Sequence, residues 1–482
     1  MKKFNILILA VTVLFFACES DTVPITTNSD QARQEFLIAR DLFEKIRYQD
    51  AKEYLEKAID YDSTFALAYL YLANTVPNVT ERYALLEKAK TYSENASKGE
   101  RLSILAYEAG AYGYSKKQET YFQELVEAYP NDERAMTDLG NFYFGQREYD
   151  KAIVYYKRAI QLNPKFSVPY NQLGYIYRYQ QNYQAAEESF KKYIKLIPDD
   201  PNPYDSYAEL LLKMGEYELS IENYEKALEI DPDFAPSHLG IASNLIYMHE
   251  YQKARAQLIH LYKIAHDDVQ RINAHFGLAI SYLAEDHINN ALNEIEKLYQ
   301  LAKDGNDITS MIDRLYVMAF ILYENNRLAE AEQKLNQSKE LLEGATISEG
   351  IKNDLERRYW YHKSQLAIKE NHIEEAGNYA ENYRQKAELT ENPTQMMYYY
   401  TLSGLIANAD KNYKAAISEF QKTNLDDPSN RYRLAQAYTQ NGNKDKAIEE
   451  LDYVVNYNGL LGLEYMIIRN RAEKQLALLR MS

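Results

Sequence analysis

The 482-residue chain has a single cysteine, Cys18, and that thiol is the side chain with the most distinctive chemical setting. One cysteine cannot close a disulfide within the chain, and it rules out cysteine-type metal sites. Its chemistry is therefore modification of one thiol. The eight histidines are scattered. His260 and His266 do not share a helical face, and His362 and His372 fall in different helices; all read as polar surface side chains. No glycine-rich loop ends in Gly-Lys-Ser or Gly-Lys-Thr, and there is no His-Glu-x-x-His pair and no Gly-x-Ser-x-Gly elbow. Acid pairs such as Glu187-Glu188 and Glu374-Glu375 read as solvated helix faces. The expectation is a non-enzyme with no catalytic residues, no cofactor and no metal.

The residues before Cys18 say what its thiol is for. Lys2 and Lys3 precede an apolar run from Phe4 to Ala17, followed by the polar exit Glu19-Ser20-Asp21. A basic start, an apolar stretch and a small residue at its end form the layout of a secretory signal. The run is short of the roughly 20 residues of a membrane-spanning helix. "Leu14-Phe15-Phe16-Ala17-Cys18" resembles the lipobox of bacterial lipoproteins, although Phe15 and Phe16 depart from that family's usual Leu and Ala or Ser. The resemblance implies a diacylglycerol on Cys18 and cleavage just before it, with residues 1–17 as signal peptide. Several acyl chains suffice for stable anchoring. Cleavage removes two lysines and no acid, taking the formal charge from -16 to -18. Such a chain repels nucleic acid and anionic head groups, so membrane contact is through the N-terminal lipid and no nucleic-acid partner is expected. Residues 18–31 read as the lipidated cysteine and a polar tether.

Beyond the tether the sequence repeats. Units of 34 residues begin at 133, 167, 201 and 235. Position 8 is small (Gly140, Gly174, Ala208, Ala242), and so is position 20 (Ala152, Ala186, Ser220, Ala254). Position 24 is large (Tyr156, Phe190, Tyr224, Leu258). Pro164, Pro198 and Pro232 stand at position 32, where proline ends a helix. This pattern strongly resembles the tetratricopeptide repeat, a pair of antiparallel helices. Weaker units extend to Ala32 on one side and, at drifting starts near 272, 312, 357, 397 and 428, to the C-terminus. The resemblance implies an all-α fold: a right-handed superhelical α-solenoid of about twelve helix pairs, with a helix near 461–480 capping the end. It divides into a regular array over 32–267 and a divergent one over 268–482, with "HDDVQR" at the junction.

The 46 tyrosines mostly fall at packing positions of this repeat. Trp360 does as well. The repeat family places its first helices on a concave face, with positions 2, 5, 9, 12 and 13 looking inward. Those positions select Asn141, Asn171, Tyr175, Arg178, Tyr179, Asp205, Glu209, Ser243 and Tyr247, and later Tyr361 and Tyr398. Tyrosines beside amides and charges suit a peptide backbone or a sugar. The carboxylate-clamping set of some repeat proteins is incomplete, since Thr137, Asn171 and Asp205 occupy position 5 of successive units.

The reading is a lipid-anchored, non-catalytic scaffold of the bacterial cell envelope, in the outer membrane, that takes a protein or peptide partner in its concave groove. The alternatives are a glycan-binding lipoprotein of a nutrient-uptake system, against which the single tryptophan counts, and an accessory or sensor subunit of a separate enzyme or regulator.

Overall fold

The computed structural model describes residues 21–76, 78–390 and 392–481. Residues 1–17, expected from the sequence to be a signal peptide, and Cys18 lie outside the described residues. Those described contain α-helices and no strand. The first pairs are α1 (Asp30–Glu44) with α2 (Tyr48–Tyr61), α3 (Ala66–Ala73) with α4 (Val79–Tyr92), and α5 (Lys98–Ala111) with α6 (Ser115–Ala128). Then come α7 (Glu133–Gly145) with α8 (Tyr149–Leu162), α9 (Val168–Tyr179) with α10 (Tyr183–Leu196), α11 (Asn202–Met214) with α12 (Tyr217–Ile230), and α13 (Ala235–Tyr247) with α14 (Tyr251–Ile264). The later pairs are α15 (Asp268–Ala284) with α16 (Ile288–Asp304), α17 (Ile308–Glu324) with α18 (Leu328–Gly344), α19 (Glu349–Lys369) with α20 (Ile373–Glu388), α21 (Pro393–Ala409) with α22 (Tyr413–Phe420), and α23 (Pro428–Gln440) with α24 (Lys444–Val455). The last helix is α25 (Leu463–Met481). Twelve pairs and a terminal helix make the expected α-solenoid.

The repeat positions have a direct steric meaning. A Cβ built on Gly140 would lie 2.7 Å from the Tyr156 ring, and one on Gly174 would lie 2.6 Å from Phe190. The large ring of the second helix thus rests on the bare backbone of the first. Ala152 and Ala186 are fully buried between the same helices. Around residue 267 the helices lengthen: α2 and α14 have 14 residues, while α15 to α18 have 17 each. That is why the starts drift from a 34-residue spacing. The core does not break there, because one buried cluster runs from Leu212 through Leu258 and Leu278 to Leu315.

A second rule was not visible in the apolar pattern. The turn inside each pair except α3–α4 contains one residue with left-handed φ, including Gly113, Arg147, Gln181, Gly215 and His249 at 34-residue spacing. The tight turn demands this conformation whether or not glycine is present. Ile46 adopts it too, at φ 64°, an unusual choice for a β-branched residue.

First helices of most neighbouring pairs touch one another, whereas contacts between second helices are marginal. The array therefore curves with its first helices inside. It curves far enough to meet itself. Helix α4 touches α17, Arg47 pairs with Asp231 at 3.6 Å, and Arg147 pairs with Asp426. The terminal helix is more than an end cap. It covers α23 and α24 but also packs on α15, and Met466, Ile467 and Ile468 are buried with Ile246, Leu283 and Met318.

Residues 21–29, within the segment 18–31 read from sequence as the lipidated cysteine and a polar tether, lie along the N-terminal pairs. Val23 N donates to Asp132 Oδ2 at 2.8 Å, and Thr26 N donates to Glu100 Oε1 at 2.7 Å. Thr27 Oγ1 and Asn28 N both donate to Asp62 Oδ2, at 2.6 and 3.0 Å. Burial pushes the Asp62 carboxyl up, but the bonds from Thr27, Asn28 and Thr64 outweigh it and hold the group down at about 2. Asp132 and Glu100 also cap α7 and α5, so carboxylates that start helices hold this strap as well.

Candidate functional site: a closed and divided inner wall

The eleven sequence-selected side chains lie on first helices, but the structure distributes them among four environments. Asn141 and Asn171 line a chamber of about 180 Å³ with Phe43, Tyr71, Tyr107 and Asp138. Asn141 Oδ1 accepts from Tyr156 OH at 2.8 Å. Asn171 is buried, and its Oδ1 has no hydrogen-bond partner among the described residues.

Tyr175, Arg178, Tyr179 and Glu209 come together in a second chamber of about 460 Å³. Arg178 Nη1 donates to Glu209 Oε2 at 2.7 Å, and its guanidinium lies 4.7 Å from the Tyr175 ring centre. Tyr175 OH is 3.2 Å from Ser206 Oγ, and its ring meets Phe190 edge-on. Tyr179 is 43% exposed and stacks on Tyr149 at 5.9 Å. Asp205 is buried beneath this group and accepts from Ser237 Oγ at 2.8 Å. Burial, and then the charge of Glu209, push its carboxyl well up. Arg178 and Tyr175 therefore hold neighbouring pairs together, and are not free groove lining as their position alone suggested.

Of the remaining four residues, Ser243 and Tyr247 are buried, Tyr361 is half-buried and Tyr398 is exposed. Ser243 is buried and bonds back to Leu239 O at 2.9 Å. Tyr247 OH donates to Gly459 O at 3.0 Å and accepts from Gly459 N at 3.2 Å, so the loop before α25 covers it. Tyr361 and Tyr398 meet edge-on at 5.8 Å, in a separate region beside the Arg433–Glu464 pair.

Sequence reasoning missed three features. One is the far side of the second chamber, made by Asp426, Tyr453, Tyr457, Asn458 and Gly459 from the C-terminal pairs. Only the closure of the array brings them near α9 and α11, and no periodicity announces it. Another is His362, which stacks on Tyr316 at 5.2 Å and lies 3.1 Å from Tyr323 OH. It was expected on the surface. Burial, and then the Arg358 charge, hold its ring down at about 3, so it is neutral packing.

The third is Asp138. Its Oδ1 accepts from Tyr107 OH at 2.9 Å, while Arg134 nearby is bound to Glu44 at 2.6 Å. Burial pushes the Asp138 carboxyl up to about 7; the Tyr107 bond opposes this and the charges of Asp132 and Glu44 add to it. An aspartate's ordinary value is 3.8. Between those values the folded state keeps a proton that the unfolded state has released. The stability that Asp138 allows therefore falls as pH rises from about 4 to about 7, and the full penalty stands above that window. Asp138→Asn keeps an acceptor for Tyr107 and cannot ionise. Thermal melts should show a higher midpoint for the variant at about pH 8 and little gain at about pH 4.5. An equal gain at both would assign the pH dependence to another group.

Among the described residues no group of His, Cys, Asp or Glu is placed to hold a metal ion, and no helix is long and apolar enough to cross a membrane.

Family-model matches agree with the repeat geometry. Tetratricopeptide-repeat family models match residues 134–166 and 428–458, and a TPR-repeat model matches 208–243. The model of an Est1 DNA/RNA binding domain matches 152–190, which falls within α8 to α10 of the same array. No curated protein sequence matches the chain. Among solved structures, a tetratricopeptide repeat protein from Parabacteroides merdae ATCC 43184 is 17% identical, covering 56% of this chain and 92% of its own, at a TM-score of 0.35. MamA is 20% identical over 35% of this chain and 97% of its own, at 0.30. YrrB, described as a TPR protein with an unusual peptide-binding site, is 17% identical over 36% and 89%, at 0.26. From its helix pairs and the repeat models that match it, the chain is, over the described residues, an all-helical α-solenoid that carries tetratricopeptide repeats.

Proposed function

We propose that this protein is a lipid-anchored, non-catalytic scaffold of the bacterial cell envelope. Acyl chains on Cys18 hold it in the outer membrane, and its inner wall receives a segment of a partner protein. The repeat array is the observation that carries the scaffold reading, since repeats of this type form protein-interaction scaffolds. Tyr179 is the most accessible ring on the wall of the larger chamber, so it marks where a partner would be met.

A photo-crosslinking residue placed at 179 should join a discrete partner in native membranes. The same residue at Lys191, on the exposed side of α10, should not. The reverse result would move the interaction to the outer surface. For the anchor, Cys18→Ser is expected to abolish detergent-phase partitioning and leave the signal uncut by the lipoprotein peptidase, because serine offers no thiol for the thioether. Unchanged membrane fractionation of that variant would remove the lipid-anchor reading.

A further inference from the structure

The larger chamber holds one cation without an ion-pair partner among the described residues. Four charged side chains line it: Arg178, Glu209, Lys213 and Asp426. Arg178 is bound to Glu209, and Asp426 is bound to Arg147. Lys213 has no carboxylate within ion-pair distance among the described residues. Its Nζ lies 4.0 Å from the ring centre of Tyr457, which belongs to the C-terminal side of the chamber. Burial, and then the Arg178 charge, hold the Lys213 ammonium down at about 8. A half-buried cation with an aromatic face on one side and a cavity on the other lacks only its anion. The surrounding wall is Phe144, Tyr175, Tyr179 and Tyr453: flat apolar faces with polar edges, suited to a ring or other planar body.

We propose that this chamber binds an organic carboxylate on a compact planar body, with the carboxylate paired to Lys213 and the body packed among the tyrosines. The site exists because the array closes. Lys213 comes from α11, and Tyr453 and Tyr457 from α24 and the loop after it, more than 230 residues along the chain. The carboxylate can belong to a free small acid or to the end of a peptide, and the chemistry at Lys213 is the same for both. The proposal does not depend on the lipid anchor.

The test is calorimetric titration of the purified full-length protein with four probes: N-acetyltyrosine, N-acetyltyrosinamide, and the hexapeptide Ala-Ala-Ala-Ala-Ala-Tyr with a free and with an amidated C-terminus. At least one acid should bind ten-fold or more tightly than its amide. Tighter binding of the free amino acid derivative identifies a small-molecule site, and tighter binding of the hexapeptide identifies a chain-end site. Lys213→Met should reduce binding of the acid at least ten-fold, with Lys213→Arg restoring part of it. The thermal midpoint of each variant reports whether the fold survives. If Lys213→Met loses its fold, the NMR titration of ¹³C-methylated Lys213 in the parent protein decides, since a bound acid must raise the pKa of that amine. Equal binding of acid and amide, no binding of any probe, unchanged binding by a folded Lys213→Met protein, or an amine whose titration ignores the bound acid would each overturn the proposal.

Discussion

Ending the chain at Gly462 is expected to unfold the middle of the array together with its C-terminal pair, while the N-terminal pairs stay folded. The deletion removes Tyr465, Met466, Ile467, Ile468, Ala472 and Leu476, all buried. It uncovers Ile246, Leu278, Leu283, Leu315 and Met318, which belong to α13, α15 and α17. Five of the lost side chains are large, and full burial stabilises each by about 1.5–3 kcal/mol, so the loss is on the order of 10 kcal/mol as an upper bound. That equals the whole stability of an ordinary domain. Among the charges that lose partners, two are largely buried. Arg433 is paired to Glu464, and Glu324 to Arg471 at 2.5 Å, although Glu324 keeps Lys369 at 3.0 Å. Stability in a repeat array is carried by neighbour contacts, so α1 to α6 should remain protected. Hydrogen exchange measured segment by segment should show α13 to α17 losing protection together with α23 and α24. Loss confined to α23 and α24 would reduce α25 to a simple end cap.

Ala152→Arg should be the most damaging single substitution in the regular units. Ala152 is fully buried on α8, in a cluster with Leu139, Phe142 and Tyr156. A guanidinium there has neither room nor counter-ion, and a buried unpaired charge costs several kcal/mol. Its long stem relieves part of that only by pushing the two helices apart. Two residues on, Val154 is 64% exposed on the same helix, and Val154→Arg should change stability by no more than about 0.5 kcal/mol. Urea unfolding of both variants gives the comparison. An Ala152→Arg protein as stable as Val154→Arg would mean that position 20 is not the tight contact between paired helices.

The contrast between these two positions shows what the sequence makes legible. Within a pair, contacts recur at fixed spacing, so Gly140 with Tyr156 and Gly174 with Phe190 could be anticipated from size alone. The prolines at 164, 198 and 232 likewise stand just past the ends of α8, α10 and α12. Closure of the array could not be anticipated. It depends on single contacts between residues distant in the chain, such as Arg147 with Asp426 and Tyr217 OH with Asn458 at 2.9 Å, and single contacts have no period. For the same reason Tyr247 read as groove lining when it is covered by Gly459. Nothing in the sequence singles out Lys213, because the ring beside it arrives from residue 457. The left-handed turns were hidden differently: Arg147, Gln181 and His249 carry no glycine signature, and only the geometry of the turn imposes the conformation.

The docked strap changes what kind of mooring a lipid on Cys18 would provide. Since Val23 is already fixed to Asp132, only the link from residue 18 to residue 23 is left to pay out, and five residues span at most about 18 Å when fully drawn. A floating tether would let the array sample any orientation and sweep a wide volume. This short leash, fastened at the start of α7, would keep the side of the molecule bearing α5 to α7 toward the bilayer. A partner would then have to approach from the bulk side or lie along the membrane itself, and the strap's carboxylate anchors, not the length of the N-terminal segment, would set how far the scaffold stands off.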